Sequence, residues 1–344
     1  MTTLIDPSDS LQLDFVVEML RDGRPVGLPT ETVYGLAALA DDEAALARIF
    51  ELKARPRFDP LIVHVLDWDH ARPWIREHAD LHRKLAEAFW PGPLTLLFRK
   101  SQRIPDLCTA GSDWVAIRSP AHAVFRSVLE KLSGRALAAP SANRFASISP
   151  TTASDVVTEL GPYGLEAVVE GGACEHGLES TVLKIHSNSE LEILRPGALS
   201  REQIEAVVGT AVKLRVRQSG TGVEDGEEHV APGQHRVHYA PSKALYLVAA
   251  PELEKFIALR GLDPSQGALF EVFPTSLGAD ISWRRRVCLS ENRSWSEAAS
   301  KLFSLLRSLD ADDDLRFIVA LECAPESLGL AISDRLRRAS AKTS

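Results

Sequence analysis

Lys53, Arg55 and Arg57 fall within the run KARPR, between a helix-like stretch and a strand-like one. Cations in a last helical turn are ordinary, because they face the carbonyl end of the helix dipole. Pro56, however, is expected to stop the helix and push Arg55 into extended backbone. Two apart on extended chain, Lys53 and Arg55 would project to one side. In a chain of net charge −8, that focus of cations suits an anion such as phosphate or carboxylate.

Other polar clusters interrupt apolar sequence. In LPTETVYGLA, Thr30, Glu31 and Thr32 read most simply as a helix N-terminus with hydroxyl caps. The functional reading is a hydroxyl-lined, amide-rich hollow for a small polar ligand. His64 lies inside the apolar run LIVHV, where a lone histidine is more often a satisfied core residue. Its place just after the cationic turn favours a ligand contact. Asp59 either orients Arg55 or caps the turn. Arg118 closes the strand-like VAIR before a Ser-Pro pair that should open a helix, and offers a salt bridge or a carboxylate fork. In APSANRFASISPTT, a Ser149 cap with Pro150 at the first helical position accounts for the end of the stretch. It leaves Ser141, Asn143 and Ser147 unexplained; so small a loop lets backbone donors approach phosphate or adenosine closely. Ser180 opens a strand and Arg195 ends another. Arg55, Arg118, Arg195 and Lys53 are therefore expected to converge on one polyanion.

These residues need a scaffold of alternating strands and helices. Helical spacing marks 14–23, ending at Gly23, and 41–53; the strand-like runs are 61–65, 95–98, 115–118, 166–170, 180–185 and 191–195. Ser200 and Gln203 have capping-box spacing. Residues 217–236 are polar, glycine-rich and acidic, the composition of a linker. Beyond them, strand-like runs at 244–250, 268–273, 285–290 and 316–321 surround an amphipathic helix over 295–310, capped by Ser294.

The chain's 344 residues suggest two domains, and 45% hydrophobic with 25% charged residues is ordinary globular composition. Net acidity disfavours a surface that coats nucleic acid or lipid. The four cysteines lack metal or disulfide spacing. No secretory signal or membrane span is expected, so the expected location is cytoplasmic. P-loop, GxGxxG, HExxH and GxSxG motifs are missing.

PTETVYGL, KARPRFDPLIVHV, WPGPLTLL, VAIRSP, APSANRFASISPTT, GLESTV and LRPGAL occur here in one order. That series resembles the YrdC-like threonylcarbamoyl-AMP synthase family across roughly residues 10–209. HYAPSKAL and LGLAISDRLRRAS resemble parts of the extra C-terminal domain of its long form. The resemblance implies an α/β chain: a YrdC-like twisted open sheet with a basic cavity, then a small Rossmann-like α/β domain. The corresponding boundaries are 1–210 for the catalytic domain, 211–240 for a linker or lid, and 241–344 for the C-terminal domain.

It further implies that L-threonine, bicarbonate and ATP become L-threonylcarbamoyl-AMP and pyrophosphate. A downstream tRNA threonylcarbamoyl transferase would use the product on ANN-decoding tRNAs. Mg²⁺ would arrive with ATP and no protein metal site is expected; direct tRNA binding stays open. By motif, Thr32, His64, Arg118 and Ser180 match the threonine side. Lys53, Arg55, Asp59, Ser141, Asn143, Ser149 and Arg195 match the ATP side, with Lys53 and Arg55 carrying the chemistry. Arg236, His238 and Tyr239 would be lid contacts, with Arg236 and His238 counted among the ATP-binding residues. Three positions depart from the family pattern: Asp59 where an asparagine is usual, Trp114 for a smaller residue, and Val237 for a basic one. The competing class is an RNA-binding module with a basic cavity. The C-terminal domain, lacking a glycine-rich phosphate loop, is expected to serve lid support and stability alone.

Overall fold

The computed structural model describes residues 1–217, 237–278 and 280–343. Two compact units emerge. One holds Met1–Phe145 and, of the described residues, 149–217; the other holds Ala146–Ile148 and the described chain from Val237 on.

The first unit is built on a 12-stranded mixed sheet among the described residues. Its strands are β1 (Thr3–Ile5), β2 (Val26–Leu28), β3 (Gly35–Leu39), β4 (Ile62–His64), β5 (Ile75–Glu77) and β6 (Leu94–Lys100). They continue with β7 (Trp114–Arg118), β8 (Leu137–Ala138), β9 (Ala167–Val169), β10 (Thr181–Ser187), β11 (Glu190–Arg195) and β12 (Lys213–Val216). Their spatial order is β1-β9-β2-β3-β8-β4-β7-β6-β10-β11-β12, with β5 beside β6. The strand-like runs named above fall on these strands within a residue or two. Lys213–Val216, assigned above to the linker, is instead β12, paired in parallel with β11. Residues 218–236 of that linker, Arg236 among them, lie outside the described residues.

One sheet face carries the main core: Val63, Leu96, Phe98, Ile117 and Leu183 pack beneath Trp74 and Leu85. The other face divides between a small apolar cluster with Ile62, Leu97, Ala116 and Val182 and a separate core cluster with Leu39, Phe125 and Leu137. Side chains alternate across a strand, so a polar residue on that second face escapes the main core.

Local chemistry differs from expectation at three places. The helix Glu43–Lys53 ends at Ala54, which adopts left-handed backbone (φ 47°), and Arg55 N–H bonds back to the Phe50 carbonyl (2.9 Å). That pattern is a Schellman closure. The stop therefore precedes Pro56, and Lys53 is the last helical residue rather than part of an extended strand. Residues 30–33 start no helix; Thr30 Oγ1 instead accepts from Thr32 N–H (3.1 Å) and donates to the Val33 carbonyl (2.6 Å) before β3. Ser149 caps nothing: the next helix is Ala153–Leu160, whose N-cap is Thr152 with Asp155 completing the capping box.

The second unit has a parallel sheet of β13 (Ala244–Val248), β14 (Gly267–Glu271), β15 (Arg285–Cys288) and β16 (Phe317–Leu321), in the order β13-β16-β14-β15. The helix Trp295–Asp310 runs over the expected residues with Ser294 as cap.

Candidate active site

A single row of cross-strand neighbours organises the site. His64 on β4 lies opposite Arg118 on β7, Arg118 opposite Thr95 on β6, Thr95 opposite Val182 on β10, and Val182 opposite Arg195 on β11. Residues in one row of a sheet share a face, here the one that escapes the main core. Four of the five are polar, yet His64, Thr95, Arg118 and Arg195 are all buried. Buried polar groups demand partners.

Arg118 meets that demand with residues 29–34 and 92. Its Nη1 donates to Thr32 Oγ1 (2.8 Å), its Nε to the Gly92 carbonyl (3.2 Å), and its Nη2 lies 2.6 Å from Glu31 Oε1. Burial would raise the Glu31 pKa, but the Arg118 charge outweighs it and holds the carboxylate below its ordinary value. The pair is in ionic contact without an aligned hydrogen bond. Ser180 bridges the far end of the row. Its hydroxyl is 2.7 Å from Thr95 Oγ1, and Arg195 Nη2 donates to both the Ser180 carbonyl (2.9 Å) and hydroxyl (3.2 Å).

His64 sits with Nδ1 3.0 Å from the Ile62 carbonyl and its ring 5.1 Å from that of Phe125. Burial, reinforced by Arg118, pushes its pKa down to about 3. The unfolded chain, near 6.5, takes up this proton first as pH falls. Stability from His64 is therefore complete above pH 6.5 and drains away toward pH 3. Between pH 6.5 and 5 the loss should be about 2 kcal/mol. Urea melts across that range should show a shallower slope for His64→Asn than for the wild type; equal slopes would refute it.

The second cluster surrounds Lys53. Its Nζ is buried and donates to the carbonyls of Ser141 and Asn143 (2.5 Å each). Burial, then the neighbouring Arg55 charge, lowers its pKa well below the usual lysine value. Arg55 pairs with Asp59 at 2.8 Å, and donates to the Asp59 (3.1 Å) and Pro60 (2.9 Å) carbonyls. Of the two sequence readings of Asp59, the structure selects the partner of Arg55. Asn143 Nδ2 donates to the Arg144 carbonyl (2.7 Å).

Residues 29–34 tie the clusters together. Gly35 bridges to Ser141, Ala142 N–H donates to the Tyr34 carbonyl (2.8 Å), and Tyr34 N–H donates to the Pro150 carbonyl (3.0 Å). Next to Pro150, Ser149 donates to Glu179 Oε1 (2.6 Å), and Glu179 adjoins Ser180 in the chain. Thr32, His64, Arg118, Ser180, Arg195, Lys53, Arg55, Asp59, Ser141, Asn143 and Ser149 thus belong to one connected network in the first unit. His238 lies in the second unit, buried, its ring 4.0 Å from Tyr239 and its N–H donating to the Arg338 carbonyl (3.4 Å). Trp114 starts β7, its ring flanked by Arg99 and Lys184 at 4.2 and 4.6 Å.

Glu31 and Glu179 received no role from the sequence. The available signal was an acid between small or hydroxyl residues in segments that are otherwise apolar. Gly197 was missed as well. A Cβ there would lie 2.4 Å from the Glu179 carbonyl oxygen, so LRPG must pass flush against the backbone that presents Ser180. Gly197→Ala should lower stability by about 1–3 kcal/mol in urea unfolding. An unchanged midpoint would mean that the contact relaxes freely.

Comparison with known proteins matches this geometry to a family. The model for Sua5, YciO and YrdC proteins, described as telomere recombination, matches residues 18–197. A second, described as the threonylcarbamoyl-AMP synthase C-terminal domain, matches residues 199–341. A threonylcarbamoyl-AMP synthase of Pyrococcus abyssi is 35% identical, over 99% of this chain and 98% of its own. Its Bacillus subtilis counterpart is 34% identical, over 97% and 96%. The crystal structure of P. abyssi Sua5 complexed with L-threonine aligns with a TM-score of 0.87 at 34% identity, covering 98% of each chain. The buried row of histidine, arginines and hydroxyls is thus carried by a chain that belongs to the Sua5/YrdC family of threonylcarbamoyl-AMP synthases, in its long form.

Proposed function

We propose that this chain is a nucleotidyltransferase that forms L-threonylcarbamoyl-AMP and pyrophosphate from L-threonine, bicarbonate and ATP. The observation that carries the reading is the end-to-end likeness to a Sua5 structure holding L-threonine, in a chain whose own buried row supplies polar groups of the kinds an amino acid needs. The relatives' names favour this reading over an RNA-binding module.

The threonine amine adds to bicarbonate with loss of water, giving N-carboxy-threonine. A carboxylate oxygen of that species attacks the α-phosphorus of ATP; the bond to the β-phosphate oxygen breaks and pyrophosphate leaves. Two anions must meet, so catalysis is mostly positioning and charge neutralisation. Arg118 would receive the threonine carboxylate, with Thr32 and Ser180 as hydroxyl partners. His64, neutral because it is buried, would orient the amino acid rather than exchange a proton. Lys53 and Arg55 would face the phosphates, with Ser141, Asn143, Ser149 and Arg195 along the nucleotide. A triphosphate beside the desolvated Lys53 amine would favour its charged form.

Among the described residues no group of three or more His, Cys, Asp or Glu side chains could hold a metal. Asp59 and Glu179 are already engaged by Arg55 and Ser149. Mg²⁺ therefore fits as a passenger on ATP, bound by phosphate oxygens and water. No helix among the described residues is long and apolar enough to cross a membrane, and a cytoplasmic location suits work that feeds a tRNA threonylcarbamoyl transferase.

The test is direct. Incubation with ATP, L-threonine and ¹⁴C-bicarbonate should give a labelled adenylate and one pyrophosphate per adenylate, both dependent on threonine. Salt-sensitive tRNA binding with no adenylate would overturn the proposal in favour of an RNA-binding module.

A further inference from the structure

The second unit has a cavity of its own, of about 400 Å³, at the carboxyl ends of β13, β14 and β16. Val248 and Leu321, the last residues of β13 and β16, are cross-strand partners, so these strands finish at one level. Ligands of parallel α/β sheets bind in crevices at this edge. One wall is rigidly built. Glu271, at the end of β14, is buried and held by Arg286 through both carboxylate oxygens (2.5 and 2.9 Å) and by Thr275 (2.6 Å). Arg286 also donates to the carbonyls of Thr275 (2.6 Å) and Leu277 (3.2 Å), fixing the turn after β14.

The charges left over in the lining are not paired with one another. Glu322 and Glu326 have no ion-pair partner among the described residues, and the Arg293 guanidinium donates only to the Pro274 carbonyl (3.1 Å). The lining also holds Phe273 and Trp295, whose rings meet edge to face at 4.5 Å. Trp295 also opens a 16-residue helix, so the Arg293 end of the cavity lies beside a positive dipole end. A cleft of this size whose lining combines a cation, two carboxylates and aromatic rings matches a zwitterion with an apolar body. A nucleotide fits poorly. The turn after β13 reads Ala249-Ala250-Pro251-Glu252, with no glycine to admit a phosphate and with proline removing a donor, and the unpaired carboxylates repel one.

We propose that the cavity at the carboxyl edge of the second sheet binds a free α-amino acid with an apolar side chain. Arg293 takes its carboxylate, Glu322 and Glu326 its ammonium, and Phe273 and Trp295 its side chain. The site is separate from the network around Arg118 and does not depend on the reaction assigned to that network.

The test uses the full chain, saturated with L-threonine to occupy any first-unit amino-acid site, and titrates L-leucine and L-phenylalanine by calorimetry. At least one should bind with a stoichiometry of one. L-leucinamide, lacking the carboxylate, and N-acetyl-L-leucine, lacking the ammonium, should each bind about tenfold more weakly than leucine. Glu322→Gln with Glu326→Gln, and separately Arg293→Gln, should weaken leucine and phenylalanine by a similar factor. These are exposed residues, and unchanged circular dichroism would verify the folds. Absence of binding by both amino acids at millimolar concentration overturns the proposal. So does binding that survives the cavity variants, or that L-threonine displaces.

Discussion

Replacing Arg118 by alanine should cut threonine-dependent adenylate formation by about a hundredfold or more, the scale seen when a preorganised charged donor is removed from a reacting centre. The same change should destabilise the protein by about 3–5 kcal/mol, because it strands the buried Glu31 carboxylate. The two losses separate in the variant Arg118→Gln with Glu31→Gln, which leaves no unpaired charge. That protein should recover most of the stability and none of the activity. Steady-state pyrophosphate release with urea melts on both variants decides the matter. Activity returning with stability would make Arg118 a structural residue and remove it from threonine recognition.

Arg55→Ala is the second large effect. The sequence alone suggests a variant that folds normally and releases no pyrophosphate, but the structure changes the first half of that expectation. Arg55 and Asp59 are both almost fully buried and 2.8 Å apart, so removing the guanidinium leaves an uncompensated buried carboxylate. A loss of about 3–5 kcal/mol should accompany the loss of turnover. Arg55→Ala combined with Asp59→Asn should restore much of the stability while turnover stays down by about a hundredfold or more. If the double variant turns over normally, Arg55 serves only to neutralise Asp59.

The Arg118–Glu31 pairing is one that no local pattern announces, whereas Asp59 as the partner of Arg55, four residues away, was among the sequence's own readings. The Ser294 and Ser200 caps, the helix Trp295–Asp310 and the strands around His64, Arg118 and Arg195 were readable because their signals lie within four residues of where they act. The Ser149 cap failed because Thr152 offers the better capping box, with Asp155 to complete it. The helix end at Lys53 was read correctly but its cause, assigned to Pro56, was not, because a left-handed Ala54 is no more visible in sequence than any other alanine. The order of seven motifs led to the right family, since that order survives whatever each side chain touches.

The chain's own pattern therefore determined the elements, their order and the residue types available for anion chemistry. Only the tertiary structure decided how those charges are spent. Arg118 reaches Glu31 and Thr32 across 86 or more residues, and Ser149 reaches Glu179 across 30. Burial in a low-dielectric interior makes each such charge find a partner, and strand register decides which partner stands opposite. Helix periodicity and caps are set by neighbours along the backbone; ion pairs between distant segments depend on the whole sheet having formed.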